Sequence, residues 1–216
     1  MLSLIPDLGG RVPTVICIGA HCDDIEIGCG GTLRRLRDRY PESTVHWVVL
    51  SATPERESEA RSSARRWLPG AEPLVQVFGF RDGYLPYDPG SVKEAFAALS
   101  EAIAPDVVFT HAGADRHQDH RFASELTWNH FRNQLVLEYE IPKFDGDLAQ
   151  PNVFVPLRRE ECERKAADIL AAFASQRGKD WLSVETVLAL ARIRGIESRS
   201  PTGYAEAFHL RKALFL

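Results

Sequence analysis

Four short runs, TVICIGA at 14–20, VHWVVLS at 45–51, PLVQVFGF at 73–80 and DVVFTHA at 106–112, are nearly continuous apolar stretches rich in β-branched residues. Runs of this length with little polar alternation fit strands buried on both faces, the condition of a parallel sheet covered by helices. Between them stand segments with helical spacing: GTLRRLRDRY, ERESEARSSARRWL and SVKEAFAALSEAIA, the last opened by Ser91 as N-cap and closed before Pro105. The resulting βαβαβαβ order predicts an α/β fold, a Rossmann-like open and mostly parallel sheet with helices on both faces. A helix is expected over Gln118–Asn133, LVLEYEI reads as a further strand, residues 142–156 read as irregular, and RREECERKAADILAAFASQ returns to helical spacing. No repeat and no linker rich in Gly, Ser or Pro divides the chain, so residues 1–216 form one expected domain with a substrate-facing loop at about 140–157.

Charge narrows the partners. Lys and Arg number 26 against 30 Asp and Glu, a net of −4, so no basic field gathers a polyanion and nucleic acid is not an expected partner. No stretch approaches ~18 uninterrupted apolar residues, and MLSLIPDLGGRVP lacks the charged start and apolar core of a secretory signal. A cytoplasmic protein without a membrane partner is expected, and a homo-oligomer is compatible with the composition. Three of the four cysteines, Cys17, Cys22, Cys29 and Cys162, fall within thirteen residues, in a chain large enough to form its own core; reduced thiols are expected.

In a parallel α/β sheet ligands bind outside the carboxyl ends of the strands. The loop after the first strand carries His21, Asp23, Asp24 and Glu26, and the loop after the fourth carries His111, Asp115, His117, Asp119 and His120. Five of the seven histidines, these four and His130, lie in the two loops and the helix that follows. A single Asp or His at a strand end is more often a cap or a surface group. Two adjacent aspartates beside a buried strand are costly unless a cation neutralises them. His21 and Asp24, three apart on a tight turn, can converge on one ion, and His120 can complete a His/Asp/His set with one position left for water. Asp23 then stands free as general base, with His117 beside His120 to steady an oxyanion or protonate a departing amine.

AHCDDIEIGCGGTL resembles the AHPDDExxGxGGT signature of the PIG-L (LmbE-like) zinc-dependent de-N-acetylases, and DRHQDHR resembles their second motif, HPDH. RESEARSSARRWL, FGFRDGYLP, FASQ and YAEAFHL are similar to further segments of that family, so the resemblance covers most of the chain. It implies a hydrolase that removes the acetyl group from an N-acetylated amino sugar or its conjugate, with Zn2+ or another divalent metal held by His21, Asp24 and His120. It further implies Asp23 as general base, His117 as the oxyanion-side group and Arg56 facing the substrate. Asp119 is then read as the carboxylate behind a ligating histidine, with Glu26 in the same supporting layer. The family's Pro is Cys22 here, expected to point away from the ligands, and Gln118 replaces Pro in the second motif.

Three rivals are weighed against this. GCGGT could cradle a phosphate in a nucleotide- or sugar-binding module, but Asp23, Asp24 and Glu26 precede it, and close helix packing explains Gly28, Gly30 and Gly31 better. A serine or cysteine hydrolase lacks a GxSxG elbow, and Cys22 beside His21 on a turn is poorly placed as a nucleophile. A non-catalytic protein of the same fold would not need the complete set of metal and base residues. Substrate choice is assigned to FRDGYLP and the 140–157 loop, where Glu140, Lys143, Asp145 and Asp147 suit sugar hydroxyls; Arg81 with Lys143 is the one phosphate-seeking pair.

Overall fold

The computed structural model describes residues 10–68 and 73–214. The first nine residues, on which the reading of the N-terminus rests, lie outside them. Five parallel strands, β1 (Thr14–Gly19), β2 (Thr44–Ser51), β3 (Leu74–Phe80), β4 (Val107–His111) and β5 (Leu135–Tyr139), take the order β3-β2-β1-β4-β5. Two more strands, β6 (Val153–Leu157) and β7 (Tyr204–His209), extend the sheet to seven; β7 runs antiparallel between β5 and β6. The helices are α1 (Asp24–Arg39), α2 (Pro54–Trp67), α3 (Pro89–Ala102), α4 (Gln118–His130), α5 (Arg159–Ala172) and α6 (Val184–Glu197), with short 3-10 turns at Leu85–Tyr87 and Ala174–Gln176. This is the expected Rossmann-like α/β sheet.

The pleat of β1 divides the core. Val15 and Cys17 pack with α1, α2 and α5 through Ile25, Leu33, Ala64, Trp67 and Ile169. Ile16 and Ile18 face the other way, against Val92 and Phe96 of α3 and Ala123 and Leu126 of α4. A strand covered on both faces must be apolar at every position, which is why the sequence shows no alternation there. From β1 the chain steps outward to β2 and β3, then crosses back to β4 on the other side. The crevice between the C-terminal ends of β1 and β4 is therefore a topological switch point.

The larger differences from expectation lie in the second half. Residues 153–157, placed in the irregular segment, form β6, an edge strand in which Pro156 is tolerated because one side of its backbone pairs with no strand. The sequence pattern predicts no helix over α6, because the apolar residues in VETVLALARIRGIE follow no single stripe. α3 starts at Pro89 with Asp88 at the N-cap position rather than Ser91, and α4 ends at His130 rather than Asn133. Among the described residues no helix is long and apolar enough to cross a membrane.

Candidate metal centre

At the C-terminal end of β1 the chain turns through Ala20, His21 and Cys22 into α1, which sets His21, Asp23 and Asp24 at the switch point. The first turn of α1 carries Asp24 and Glu26, where the positive end of the helix dipole favours carboxylates. β4 ends on His111, and the next loop delivers His117 as N-cap of α4 and His120 on its first turn.

These side chains converge. The Asp24 carboxylate lies 3.4 Å from His21 Nδ1, 3.1 Å from His111 Nε2 and 3.6 Å from His120 Nε2. His21 Nδ1 and His120 Nε2 are 3.1 Å apart. His21, Asp24 and His120 are buried, and His111 wholly so. His120 Nδ1 stands 2.9 Å from Asp115 Oδ2. In the neutral ring that carboxylate fixes the proton on Nδ1 and turns the Nε2 lone pair toward Asp24 and His21, the usual arrangement behind a metal-binding histidine.

Three overlapping groups, His21/His117/His120, Asp24/His111/His120 and His21/Asp82/Asp119, each place one ligand atom per residue within 4.8 Å of the others. His21 Nε2 is 3.0 Å from Asp82 Oδ1 and 3.5 Å from Asp119 Oδ2, yet among the described residues it makes no well-aligned hydrogen bond and the buried Nδ1 of His111 has no partner. Buried polar atoms left in this state are costly unless another group satisfies them. Imidazole nitrogens with a carboxylate oxygen are the donors that borderline divalent cations prefer. The residues fit such a cation.

Electrostatics separate the two aspartates. Burial opposes ionisation of Asp24, but His120, His111 and His21 outweigh it and hold the carboxyl well below the usual range. Asp23 is raised, by burial first and then by the Asp24 charge, with Arg56 pulling the other way. Arg56 reaches it from the first turn of α2, where Thr53 caps the helix and Arg56 Nη2 donates to Asp23 Oδ1 at 2.8 Å. Burial would depress His21, but Asp24, Asp119 and Asp82 raise it well above the ordinary imidazole value. His117 is lowered by burial and by the neighbouring His120 and His21, which favours its neutral form. Its Nδ1 accepts the Asp119 backbone N–H at 3.3 Å, so the neutral ring carries its proton on Nε2.

The supporting carboxylates divide between the two histidines. The carboxylate behind His120 is Asp115, and Asp119 Oδ2 lies 3.5 Å from Nε2 of His21. Asp119 accepts the backbone N–H groups of Gly83 and Leu85 at 2.7 and 3.1 Å, pinning the loop after β3 beside His21. Glu26 accepts from Ser63 Oγ on α2 and ties helix to helix rather than backing a ligand. Glu140 is buried in a two-pronged ion pair with Arg194 at 2.6 and 2.9 Å, away from the mouth. Arg81 stacks on Tyr84, 3.6 Å from the ring centroid, and forms no pair with Lys143. Lys143 lies 3.0 Å from Asp115 and 2.5 Å from Asp147. His111, Asp115 and Asp82 stood in segments the sequence singled out, but their roles depend on ring and carboxylate orientations that spacing does not encode.

The rivals find little support. Cys22 points away from the cluster: its thiol lies 3.7 Å from the Ser51 carbonyl, in the core, and burial pushes it up to about 12. All four cysteines are free and buried. The backbone N–H groups of Gly31 and Thr32, which a phosphate would need, donate instead to Glu206 at 2.8 and 2.6 Å. A Cβ on Gly28 would fall 2.2 Å from the Tyr139 ring and one on Gly30 2.7 Å from Trp67, so these glycines serve close packing.

The cluster opens into a cleft of about 220 Å³. His21, Asp23, Asp24, Arg56, Asp82, His117 and His120 form part of its lining, and the loop after β5 supplies Ile141, Lys143, Phe144 and Asp145. The segment after α5 adds Gln176, Lys179 and Trp181, a contribution the sequence reading did not anticipate.

A His/Asp cluster that could hold a divalent cation, set at the switch point of a Rossmann-like sheet, defines the class: an α/β protein with a candidate metal centre. The family described as PIG-L, GlcNAc-PI de-N-acetylase, matches residues 16–131, more than half of the chain, and the protein belongs to that family. A curated relative, the uncharacterized deacetylase YaiS of Escherichia coli K12, is 29% identical over 161 residues, covering 68% of this chain and 83% of its own. The solved N,N'-diacetylchitobiose deacetylase of Pyrococcus horikoshii superposes with a TM-score of 0.69 at 22% identity, over 92% of this chain and 83% of that one. GalB, the 4-carboxy-2-hydroxymuconate hydratase of Pseudomonas putida KT2440, has a TM-score of 0.72 at 17% identity, over 94% of this chain and 98% of its own. The same shape thus carries a hydratase as well as deacetylases, and chemistry has to be argued from the side chains.

Proposed function

We propose that this protein is a zinc-dependent hydrolase that removes the acetyl group from an N-acetylated amino sugar or its conjugate. The observation that carries the reading is the meeting of His21, Asp24 and His120 within 3.6 Å of one another, with the separately buried Asp23 alongside. In this reading those three residues hold the cation, which, when bound, acidifies water toward ~7 and polarises the acetamide carbonyl.

The chain's own groups supply the rest. Asp23, its pKa raised by burial, takes a proton from the attacking water and returns one to the departing nitrogen. Arg56 fixes the Asp23 carboxylate through one oxygen and leaves the other for the proton. His117 offers Nε2–H to the oxygen that gains charge as the carbonyl is attacked. Arg56 and Lys143, both on the cleft wall, are the substrate-facing cations. Acetate and a free amine leave.

Metal analysis of the purified protein, followed by acetate release across N-acetylglucosamine conjugates, tests the reading. Stoichiometric zinc and turnover of at least one conjugate are expected. Asp23→Asn should keep its metal and lose ~10²-fold or more in kcat, the scale of a missing general base. Near-normal turnover by that variant would remove Asp23 from the mechanism, and a protein that binds no divalent cation would sink the whole assignment.

A further inference from the structure

Lys143 stands on the cleft wall, yet its ammonium is tied into the chain. Nζ lies 3.0 Å from Asp115 Oδ2, 2.5 Å from Asp147 Oδ2 and 3.4 Å from the Ile141 carbonyl, so each of its three N–H donors has an acceptor within the protein. The side chains of Lys143, Asp115 and Asp147 are only 11%, 2% and 5% exposed. Charges so far from solvent are weakly screened and act strongly on one another.

The oxygen that Lys143 meets is the one that faces His120. Asp115 Oδ2 stands 2.9 Å from His120 Nδ1, so imidazole and ammonium share one acceptor atom. The other oxygen, Oδ1, accepts the His117 backbone N–H at 2.7 Å, which holds the carboxylate in place with or without the lysine. A carboxylate behind a ligating imidazole raises its basicity, and an ammonium on the same oxygen offsets that effect. Asp147 works against the lysine: fixed by the Arg116 backbone N–H at 2.6 Å, it draws the ammonium away from Asp115. Asp115 and Asp147 line a separate small hollow and not the cleft itself.

We propose that Lys143 is a positioning residue for the metal centre, which acts through Asp115 to weaken His120 as a donor, and that Asp147 limits this action. The proposal rests on the reading of His21, Asp24 and His120 as the residues that hold the cation, and adds a control over how tightly they hold it. Lysine and aspartate then have opposite effects on metal affinity, although they form a single ion pair.

The test is zinc affinity in competition with a chromogenic chelator, measured without substrate. Lys143→Met keeps the length of the side chain, removes the charge, and should bind zinc about tenfold more tightly than wild type, the lower end of the range for groups behind a ligating histidine. Asp147→Asn leaves the ammonium to Asp115 and should bind zinc several-fold more weakly, while Lys143→Arg, which keeps the charge, should stay within about twofold of wild type. A role confined to closing the turn between residues 143 and 147 would move Lys143→Met and Asp147→Asn in the same direction, because either substitution breaks the same contact. In an Asp115→Asn background Lys143→Met should change the affinity by about twofold or less, since its route to His120 is gone. Shifts of the same sign, unchanged affinities, or a Lys143→Met effect that survives without Asp115 overturn the proposal. If Lys143→Met does not fold, because two buried carboxylates are left facing one another, the double variant Lys143→Met/Asp147→Asn removes both charges; it should still bind more tightly than wild type, and equal or weaker binding overturns the proposal. Those results leave the hydrolase reading standing, whereas a wild-type protein that binds no divalent cation has lost that reading.

Discussion

Asp115 shows how one carboxylate sets the state of the centre. Its Oδ2 faces His120 Nδ1 at 2.9 Å, its Oδ1 accepts the His117 backbone N–H at 2.7 Å, and Lys143 lies 3.0 Å away. Burial opposes its charge, but His120, His111 and Lys143 prevail and hold the carboxyl at about 2. A carboxyl lowered by folding contributes stability that is complete above its unfolded value of ~3.9 and fades as pH falls through the folded value. In metal-free protein the Asp115→Asn variant should therefore lose roughly 2 kcal/mol of stability near neutral pH and show a flatter acid limb between about pH 4 and 2. The same variant frees the proton position of His120 and should weaken zinc binding ~10–100-fold in competition with a chelator. An unchanged zinc affinity would show that Asp115 does not orient that ring.

At the scale of the element, α1 is where packing and chemistry meet. Its N-terminus presents Asp23 and Asp24, and its glycines let the helix lie close on its neighbours. Tyr139, fully buried on β5, occupies the space that a side chain at position 28 would need, and its hydroxyl donates to the Ile18 carbonyl at 2.7 Å. Gly28→Ala should push α1 off the sheet and cost ~1–3 kcal/mol, read as a lowered urea midpoint with an unchanged slope. A variant with the parental midpoint would mean that Tyr139 moves aside freely. This role of Gly28, Gly30 and Gly31 was legible in the sequence, because carboxylates ahead of the glycines argued against a phosphate loop. The extra elements were not. β6 hides behind Pro156, and α6 has no apolar stripe because it packs on both β7 and α5.

Across the whole molecule, Glu206 on β7 joins distant segments. It accepts from Gly31 N, Thr32 N, Thr32 Oγ and Lys165 Nζ, all at 2.6 to 2.8 Å, while Lys165 also donates to the Ile27 carbonyl. Both charged groups are buried. Removing one partner leaves the other charge uncompensated, so Glu206→Ala should cost ~3–5 kcal/mol in denaturant unfolding. The exposed Arg159–Glu163 pair, at 2.8 Å, is the control: breaking it with Glu163→Ala should leave the unfolding midpoint essentially unchanged. Similar losses in the two variants would show that burial does not govern the Glu206 network.

The sequence by itself determined the alternation of buried strands and helices and the positions of the two loaded loops. Both follow from local periodicity and from residues a few positions apart. It also set His21, Asp24 and His120 at strand ends, while their meeting rests on β1 and β4 lying side by side in the sheet. The tertiary structure alone decided which carboxylate backs His120, that Glu140 belongs to Arg194 rather than to the mouth, and that Trp181 reaches the cleft. The physical reason is range: His21 and His120 stand 99 positions apart in the chain, and Glu140 and Arg194 54. Which polar groups meet over such separations depends on how helices settle against the sheet, and short-range spacing carries no record of that.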